Sequence, residues 1–216
     1  MSEASRRRDD DRSDGWRRLF DAPPPRPGAP VGPPLSDPVD DDDHVRGSSA
    51  ALVTLVEYAD FECLHCSRAL PALTALLKEF SGTLRLVFRH FPLEWEHPNA
   101  WLAALASEAA ARQGRFWEMH DELYRNQLML HRDALPAHAA SIGLDIGRFA
   151  EDLDDPVVVH RVQRDIASGR RNLVRGTPTV FIDGVRQSVP LLPDALRSAV
   201  GESAMRRAER MLRGED

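Results

Sequence analysis

The chain has 216 residues, of which 42% are hydrophobic and 29% charged, and its net charge at pH 7 is −6. This acidic balance argues against a nucleic-acid-binding protein, because such proteins present a basic surface to the phosphate backbone. No apolar stretch approaches the ~18 residues needed to span a membrane. The length suits one domain built around a single hydrophobic core.

Residues 1–47 hold half of the sixteen prolines, together with many arginines and aspartates, but show almost no apolar periodicity. Such a segment buries too little apolar surface to offset chain entropy, so we predict a disordered or semi-rigid tail. The globular domain is expected to span residues 48–214. The basic run at residues 6–8 is followed by an acidic run at 9–11 rather than by the apolar segment of a secretory signal, which favours a cytoplasmic location.

From residue 50 onward, the apolar pattern predicts strands and helices. A β-branched, apolar run predicts a buried strand at residues 52–58, and a similar run predicts a second strand at 84–91. Leucines at helical spacing predict a helix from Cys63 to Phe80. Further helices are predicted near residues 101–109, 116–124, 132–141, 146–153 and 156–171, and a final one from Pro193 to about Leu212.

Both cysteines lie at the junction between the first predicted strand and the helix after it, as Cys63-Leu64-His65-Cys66. Two thiols at this spacing can close a disulfide when the first turn of a helix holds them. The unpaired N–H groups and the dipole of the helix stabilise an anion there, so the pKa of Cys63 should fall below about 8.5. A thiol with a low pKa both attacks and leaves well in disulfide exchange. We expect Cys63 to be exposed and Cys66 to be more buried.

His65 lies between the cysteines, where a protonated imidazole would further favour the thiolate; the alternative is a histidine that merely faces solvent. The cysteines could also belong to a zinc site, but such a site needs about four ligands and the chain has no second cysteine pair. We therefore predict no metal and no cofactor beyond a redox-active disulfide between Cys63 and Cys66.

Residues 176–186 read Gly-Thr-Pro-Thr-Val-Phe-Ile-Asp-Gly-Val-Arg. The Asp183-Gly184 pair between two apolar segments predicts a β-hairpin. Pro178 opens the first strand of this hairpin, and its lack of an N–H group means that this end of the strand cannot take part in an ordinary ladder.

The motif of residues 57–66, the Gly-Thr-Pro-Thr strand and the order of elements together resemble the DsbA-like branch of the thioredoxin superfamily, over about residues 45–200. The resemblance implies an α/β thioredoxin fold with a helical insertion, at about residues 98–172, between the second and third strands. Residues 43–47 also resemble the start of the DsbA-like domains that are fused to bacterial sodium/proton antiporters. Leu64 stands where the family usually has proline, which affects the expected redox potential rather than the expected reaction.

The same resemblance implies roles for individual residues. Cys63 would be the nucleophile, and Pro178 would be cis and face the cysteine pair. Glu57 would lie buried beneath Cys66, with a raised pKa that allows it to take and return a proton; the alternative is a strand carboxylate that reaches solvent. The backbone of Thr177 would pair with an extended substrate segment.

These features predict a thiol–disulfide oxidoreductase whose partners are protein or peptide thiols and disulfides, with no nucleic acid and no membrane span. Two alternatives stay open. One is a redox-responsive binding module in which the cysteine pair only switches a groove for a partner. The other is a glutathione-dependent transferase or isomerase on the same fold.

Overall fold

The computed structural model describes residues 32–188 and 191–215. Its centre is a five-stranded mixed sheet in the order β1-β3-β2-β4-β5. The two central strands, β2 and β3, are parallel, and the other neighbouring pairs are antiparallel. The strands are β1 (His44–Gly47), β2 (Val53–Ala59), β3 (Leu84–His90), β4 (Thr179–Ile182) and β5 (Val185–Arg186). The structure therefore confirms the predicted α/β thioredoxin fold.

Helices cover both faces of the sheet. In the described residues they are α1 (Leu64–Glu79), α2 (Ala100–Ala111), α3 (Phe116–Arg125), α4 (Leu135–Ser141), α5 (Ile146–Asp152), α6 (Pro156–Arg171) and α7 (Pro193–Arg213). Within the described ranges, no helix combines the length and the apolar character that crossing a membrane requires.

The alternation of side chains along β2 explains how the sheet is sandwiched. Leu55 faces a cluster that includes Leu73 of α1 and Leu196 of α7. Val56 and Tyr58 face the opposite side, where Phe181 of β4 belongs to the same cluster. Because both faces are covered, the strand is apolar along most of its length instead of alternating with polar residues.

The helical insertion consists of α2 to α6 and lies between β3 and β4, which are the second and third of the strands that the sequence predicted. Its helices pack around Met119, Leu123 and Phe149 in a core that also includes Ala59 of β2 and Phe88 of β3. Helix α4 begins at Leu135 rather than near residue 132. Pro136 suits this start, because proline has no N–H to donate within a helix and is favoured in the first turn, where that N–H is not needed.

The hairpin after Pro178 has the predicted turn. Asp183 and Gly184 both have positive φ, 45° and 78°. This is the conformation that a tight two-residue turn requires and that an Asp-Gly pair adopts readily.

The first strand, β1, lies inside the segment that was predicted to be a tail. It pairs antiparallel with β3, from His44 opposite Phe88 to Gly47 opposite Arg85. Before it, the buried Asp43 forms a two-pronged ion pair with Arg89 of β3, at 2.8 and 2.9 Å. The boundary predicted at residue 47 is thus too late, because a polar strand held by a buried charge pair has no apolar signature. Residues 1–31 of the predicted tail lie outside the described residues.

Candidate functional site

The two cysteines lie where β2 passes into α1. Cys63 is the N-cap residue of α1, with extended backbone, and Cys66 lies in the first turn of the helix. Both are free thiols. Cys63 exposes 4% of its surface and Cys66 only 1%. The expectation of an exposed Cys63 is therefore wrong, although Cys66 is the more buried of the two.

A loop from the far end of the chain closes over Cys63. Strand β4 pairs with β2 so that Thr179 lies opposite Tyr58, which brings the residues before β4 to the end of β2 that leads to the cysteines. The Thr177–Pro178 peptide bond is cis, the conformation that the family resemblance implied. Sγ of Cys63 lies 3.4 Å from the Thr177 carbonyl oxygen, which can accept a hydrogen bond from Cys63 only in its protonated form. This loop explains why so little of Cys63 reaches solvent.

The surroundings of Cys63 favour its thiolate. The hydrogen bond from the Cys66 thiol is the largest cause, and the Thr177 side chain and the backbone N–H groups of Cys66 and His65 add to it. Together they outweigh burial and lower the pKa of Cys63 to about 5. The Thr177 hydroxyl is buried and has no other hydrogen-bond partner among the described residues. Cys63 is thus mostly ionised at neutral pH.

The pKa of Cys66 is shifted in the opposite direction. Burial raises the pKa of its thiol well above the usual value, and its hydrogen bond to Cys63 and the nearby charges of Glu57 and Cys63 raise it further. Cys66 therefore stays protonated at pH 7 and acts as a donor to the Cys63 thiolate. Cys63 can therefore act as a nucleophile, whereas Cys66 keeps its proton.

Glu57 lies on β2 beneath this pair and is 3% exposed. Glu57 is therefore buried, as the family resemblance implied, and its carboxyl group does not reach solvent. Burial raises the pKa of Glu57 to about 8, and the negative charge of Cys63 contributes in the same direction. At pH 7 the side chain is therefore mainly a neutral carboxylic acid, which can both give and accept a proton near neutral pH.

This raised pKa predicts how Glu57→Gln should change stability. An acid with a pKa near 4.3 in the unfolded chain and about 8 in the fold destabilises the fold increasingly between those two pH values. By linkage, removing the Glu57 carboxyl group should raise the free energy of unfolding by about 3 to 4 kcal/mol at pH 7. Burying an amide in its place offsets about 1 to 3 kcal/mol of that gain. Urea unfolding of Glu57→Gln and the parent chain should show a difference that grows in favour of the variant from pH 4 to pH 8. A difference independent of pH would contradict the raised pKa.

The His65 side chain is exposed and lines a surface cavity beside the Thr177–Pro178 loop. Its contribution to the low pKa of Cys63 is its backbone N–H group. The site therefore uses the position of His65 in the helix more than its imidazole.

Several residues around the cysteines were not predicted from the sequence. The buried Asp60 carboxylate accepts hydrogen bonds from the backbone of Glu62 and Leu93 and lies 2.8 Å from Nδ1 of His97. Burial disfavours the protonated imidazole of His97, but Asp60 and the charge of Cys63 outweigh it and raise its pKa. Gln127 of the insertion donates to the carbonyl oxygens of Phe61 and Cys63 at 2.6 and 3.1 Å. Of these residues, only Asp60 lies close to the cysteines in the sequence, three positions before Cys63.

One group of three possible metal ligands occurs among the described residues, away from the cysteines. His44 and His90 both place Nε2 near Oε1 of Glu108, at 2.7 and 2.8 Å. Nε of Arg161 lies 3.8 Å from the same oxygen. Because these contacts satisfy the carboxylate and the arginine adds positive charge, the group is explained as a buried polar network.

The fold and the Cys-x-x-Cys pair facing a cis proline define a thioredoxin-fold protein with a helical insertion. The family model described as thioredoxin matches residues 40–202, so the chain belongs to the thioredoxin family.

Similar curated proteins are sodium/proton antiporters. The chain is 46% identical over 153 residues to NhaA of Herminiimonas arsenicoxydans and 47% identical over 164 residues to NhaA 3 of Salinispora tropica. The matches cover 70% and 76% of this chain but only 24% and 25% of those proteins. The chain thus spans about a quarter of the length of these relatives, in agreement with the predicted similarity to an antiporter-associated domain.

Similar solved structures have the same fold at low sequence identity. BdbD of Bacillus subtilis, in its oxidised form, has a TM-score of 0.71 and 21% identity, covering 81% of this chain and all of that one. Alpha-DsbA1 of Wolbachia pipientis has a TM-score of 0.70 and 18% identity, with coverages of 82% and 98%. A thioredoxin-like oxidoreductase of Silicibacter pomeroyi has a TM-score of 0.67 and 24% identity, with coverages of 77% and 94%. These likenesses confirm the DsbA-like fold.

Proposed function

We propose that this protein is a thiol–disulfide oxidoreductase that exchanges disulfides with protein or peptide dithiols through Cys63 and Cys66. The observation that carries the proposal is the difference between the two thiols: the pKa of Cys63 is about 5, whereas that of Cys66 is raised. A structural disulfide or a pair of core thiols needs no such difference. The reaction needs no cofactor besides the cysteine pair.

In the first step of dithiol oxidation, a substrate thiolate attacks Sγ of Cys63 in the oxidised protein. A bond forms between the two sulfurs, the Cys63–Cys66 bond breaks, and its electron pair passes to Sγ of Cys66. The Cys66 sulfur then takes a proton because its pKa is far above 7. We assign Glu57 as the donor of that proton, since it is a buried acid with a pKa of about 8.

In the second step, the other substrate thiolate attacks the substrate sulfur of the mixed disulfide. The electron pair of that bond leaves with Cys63, which is a good leaving group because of its low pKa. The substrate has then lost two electrons and two protons. One proton ends on Cys66 and the other goes to solvent, because Cys63 remains a thiolate at pH 7. Reduction of a substrate disulfide is the same sequence in reverse.

The low pKa of Cys63 also predicts which redox form is more stable. Because the pKa of Cys63 is lower in the folded than in the unfolded chain, ionisation of Cys63 stabilises the reduced fold. This stabilisation is greatest above about pH 8.5 and is lost as pH falls through about 5. At pH 7 it amounts to about 3 kcal/mol, against about 2 kcal/mol of loop-closure entropy in favour of the oxidised form. Burial of Glu57, the main cause of its raised pKa, acts in both forms and largely cancels.

The reduced form should therefore melt about 2 to 4 °C higher than the oxidised form at pH 7. The order should reverse between about pH 6 and 7 as the thiolate contribution falls below the entropy of the disulfide. Calorimetry of both forms from pH 5 to pH 9 measures this directly. An oxidised form that is more stable at every pH would indicate a reductant with an unperturbed thiol.

Catalytic turnover tests the proposed function. A peptide with two cysteines is mixed with a large excess of glutathione disulfide and a small amount of the protein, and peptide oxidation is followed by mass. We expect many peptides to be oxidised per protein molecule, and no acceleration by a variant in which both cysteines are serine. Oxidation of no more than one peptide per protein would instead support a redox-responsive binding module.

A further inference from the structure

A cavity of about 630 Å³ opens beside the Thr177–Pro178 loop. Arg68, Arg175 and Arg186 lie around it, together with His65 and the loop itself. We refer to this cavity as the arginine groove. The three arginines come from separate parts of the chain: Arg68 from α1, Arg175 from the segment before the loop, and Arg186 from β5.

The arginines of the groove are unlike most others in the protein. Arginines elsewhere commonly pair with a carboxylate, as Arg46, Arg89, Arg112 and Arg197 do. Arg68, Arg175 and Arg186 make no carboxylate ion pair among the described residues, and none of the residues described around the groove is acidic. In a chain with a net charge of −6, this leaves a local positive surface next to the reactive thiol.

Arg186 has a further unused donor. Its Nη2 atom donates to the Leu173 carbonyl oxygen at 2.9 Å, which fixes the side chain in place. Its Nε atom is buried and has no partner among the described residues. A guanidinium held in this way presents its remaining N–H groups in a rigid fork, the geometry that suits a carboxylate.

We propose that the arginine groove selects protein segments with aspartate or glutamate next to the reacting cysteine, which deepens the proposed function and rests on it. The substrate segment lies extended along the Thr177–Pro178 loop, with its cysteine at Cys63 and its acidic side chains on the arginines. Ala69, Pro178 and Leu191 supply apolar parts of the lining, which accept the uncharged parts of the segment. Three arginines exceed the two carboxylates that glutathione could offer, so a peptide chain is the better fit.

The test uses three peptides that share one dithiol sequence and differ only in the flanking residues, which are aspartate and glutamate, asparagine and glutamine, or lysine. Oxidised full-length protein is mixed with each peptide, and the rate constant for the first exchange step is measured at low and high salt. We expect the acidic peptide to react about tenfold faster than the neutral one at low salt, as for electrostatically steered association, and the lysine peptide to react more slowly. The preference should shrink at high salt because ions screen it.

The variants Arg68→Gln, Arg175→Gln and Arg186→Gln, alone and together, locate the preference. The ratio of the acidic to the neutral rate constant should approach one in the triple variant. This ratio cancels any general change in reactivity of Cys63. Arg170→Gln is the matched control, because Arg170 is an exposed arginine that lies outside the groove. It should keep the full preference.

The possible failures are distinguishable. Equal rates for the acidic and neutral peptides, or a preference that survives in the triple variant, would overturn the groove proposal while the proposed function stands. Faster reaction of reduced protein with glutathione disulfide than with the disulfide form of the acidic peptide would assign the groove to a small thiol and also overturn it. Failure of all three peptides to react would remove the proposed function and this inference together.

Discussion

We expect Cys66→Ser to accumulate mixed disulfides with protein substrates, whereas Cys63→Ser should accumulate none. The mixed disulfide forms at Cys63 because its low pKa makes it the nucleophile and leaving group. Only Cys66 can then resolve it within the protein. Both variants should lose catalytic turnover entirely, so trapping is the observation that separates the two roles.

Serine is the suitable replacement for Cys66. The hydrogen bond from Cys66 is the largest contribution to the low pKa of Cys63, and a serine hydroxyl can still donate one. Cys66→Ala removes that donor, so it should trap substrate more slowly at pH 6 than Cys66→Ser. Non-reducing gels of extracts, with a reducing lane beside them, reveal the trapped species. Trapping by Cys63→Ser instead would reverse the assignment.

We also expect the fold to be strongly destabilised when the segment before β2 is removed. A chain that begins at Gly47 lacks Asp43 and leaves the guanidinium of Arg89 buried without its carboxylate partner. It also loses the backbone carbonyl groups of Asp37 and Pro38, which accept hydrogen bonds from Arg89. Removing one partner of a buried pair costs about 3 to 5 kcal/mol, so this chain should unfold at much lower urea concentration or fail to fold.

Two comparisons isolate the cause. A chain that begins at Gly32 keeps the whole interaction and should be as stable as the full chain in urea unfolding. Among single variants, Asp43→Ala should be strongly destabilised. Asp42→Ala is its matched control, because Asp42 pairs with Arg164 at the surface and should change stability by at most about 1 kcal/mol. Equal stability of Asp42→Ala and Asp43→Ala would contradict the buried anchor.

Local patterns in the sequence predicted most of the fold. The apolar runs of β2 and β3, the leucine spacing of α1 and the Asp-Gly turn each encode structure over a few residues. Strand β1 was missed because it is four residues long and polar, and its anchor Asp43 acquires a partner only when Arg89, 46 residues later, is placed beside it. Burial of a charge is a tertiary property, and no local pattern reports it.

The functional site, like the fold, was predicted where the sequence pattern is local and missed where contacts join distant parts of the chain. The spacing of Cys63 and Cys66 is local, and it placed both at the start of α1. Family resemblance, rather than any pattern in the residues, drew attention to Glu57 and placed Pro178 opposite the cysteine pair. Asp60, His97 and Gln127 come from different elements, and their contacts depend on how the insertion packs over the cysteines. The exposure predicted for Cys63 was wrong for the same reason, because the loop that covers it lies more than a hundred residues away.

This fold makes Cys63 a stabilised thiolate. The most direct measurement is the rate of alkylation of the reduced protein by iodoacetamide from pH 3 to pH 10, with mass spectrometry to identify the modified cysteine. We predict modification of Cys63 with a midpoint near pH 5, the value that its hydrogen bonds impose. A midpoint near pH 8.5, or modification of Cys66 first, would contradict a stabilised thiolate at Cys63.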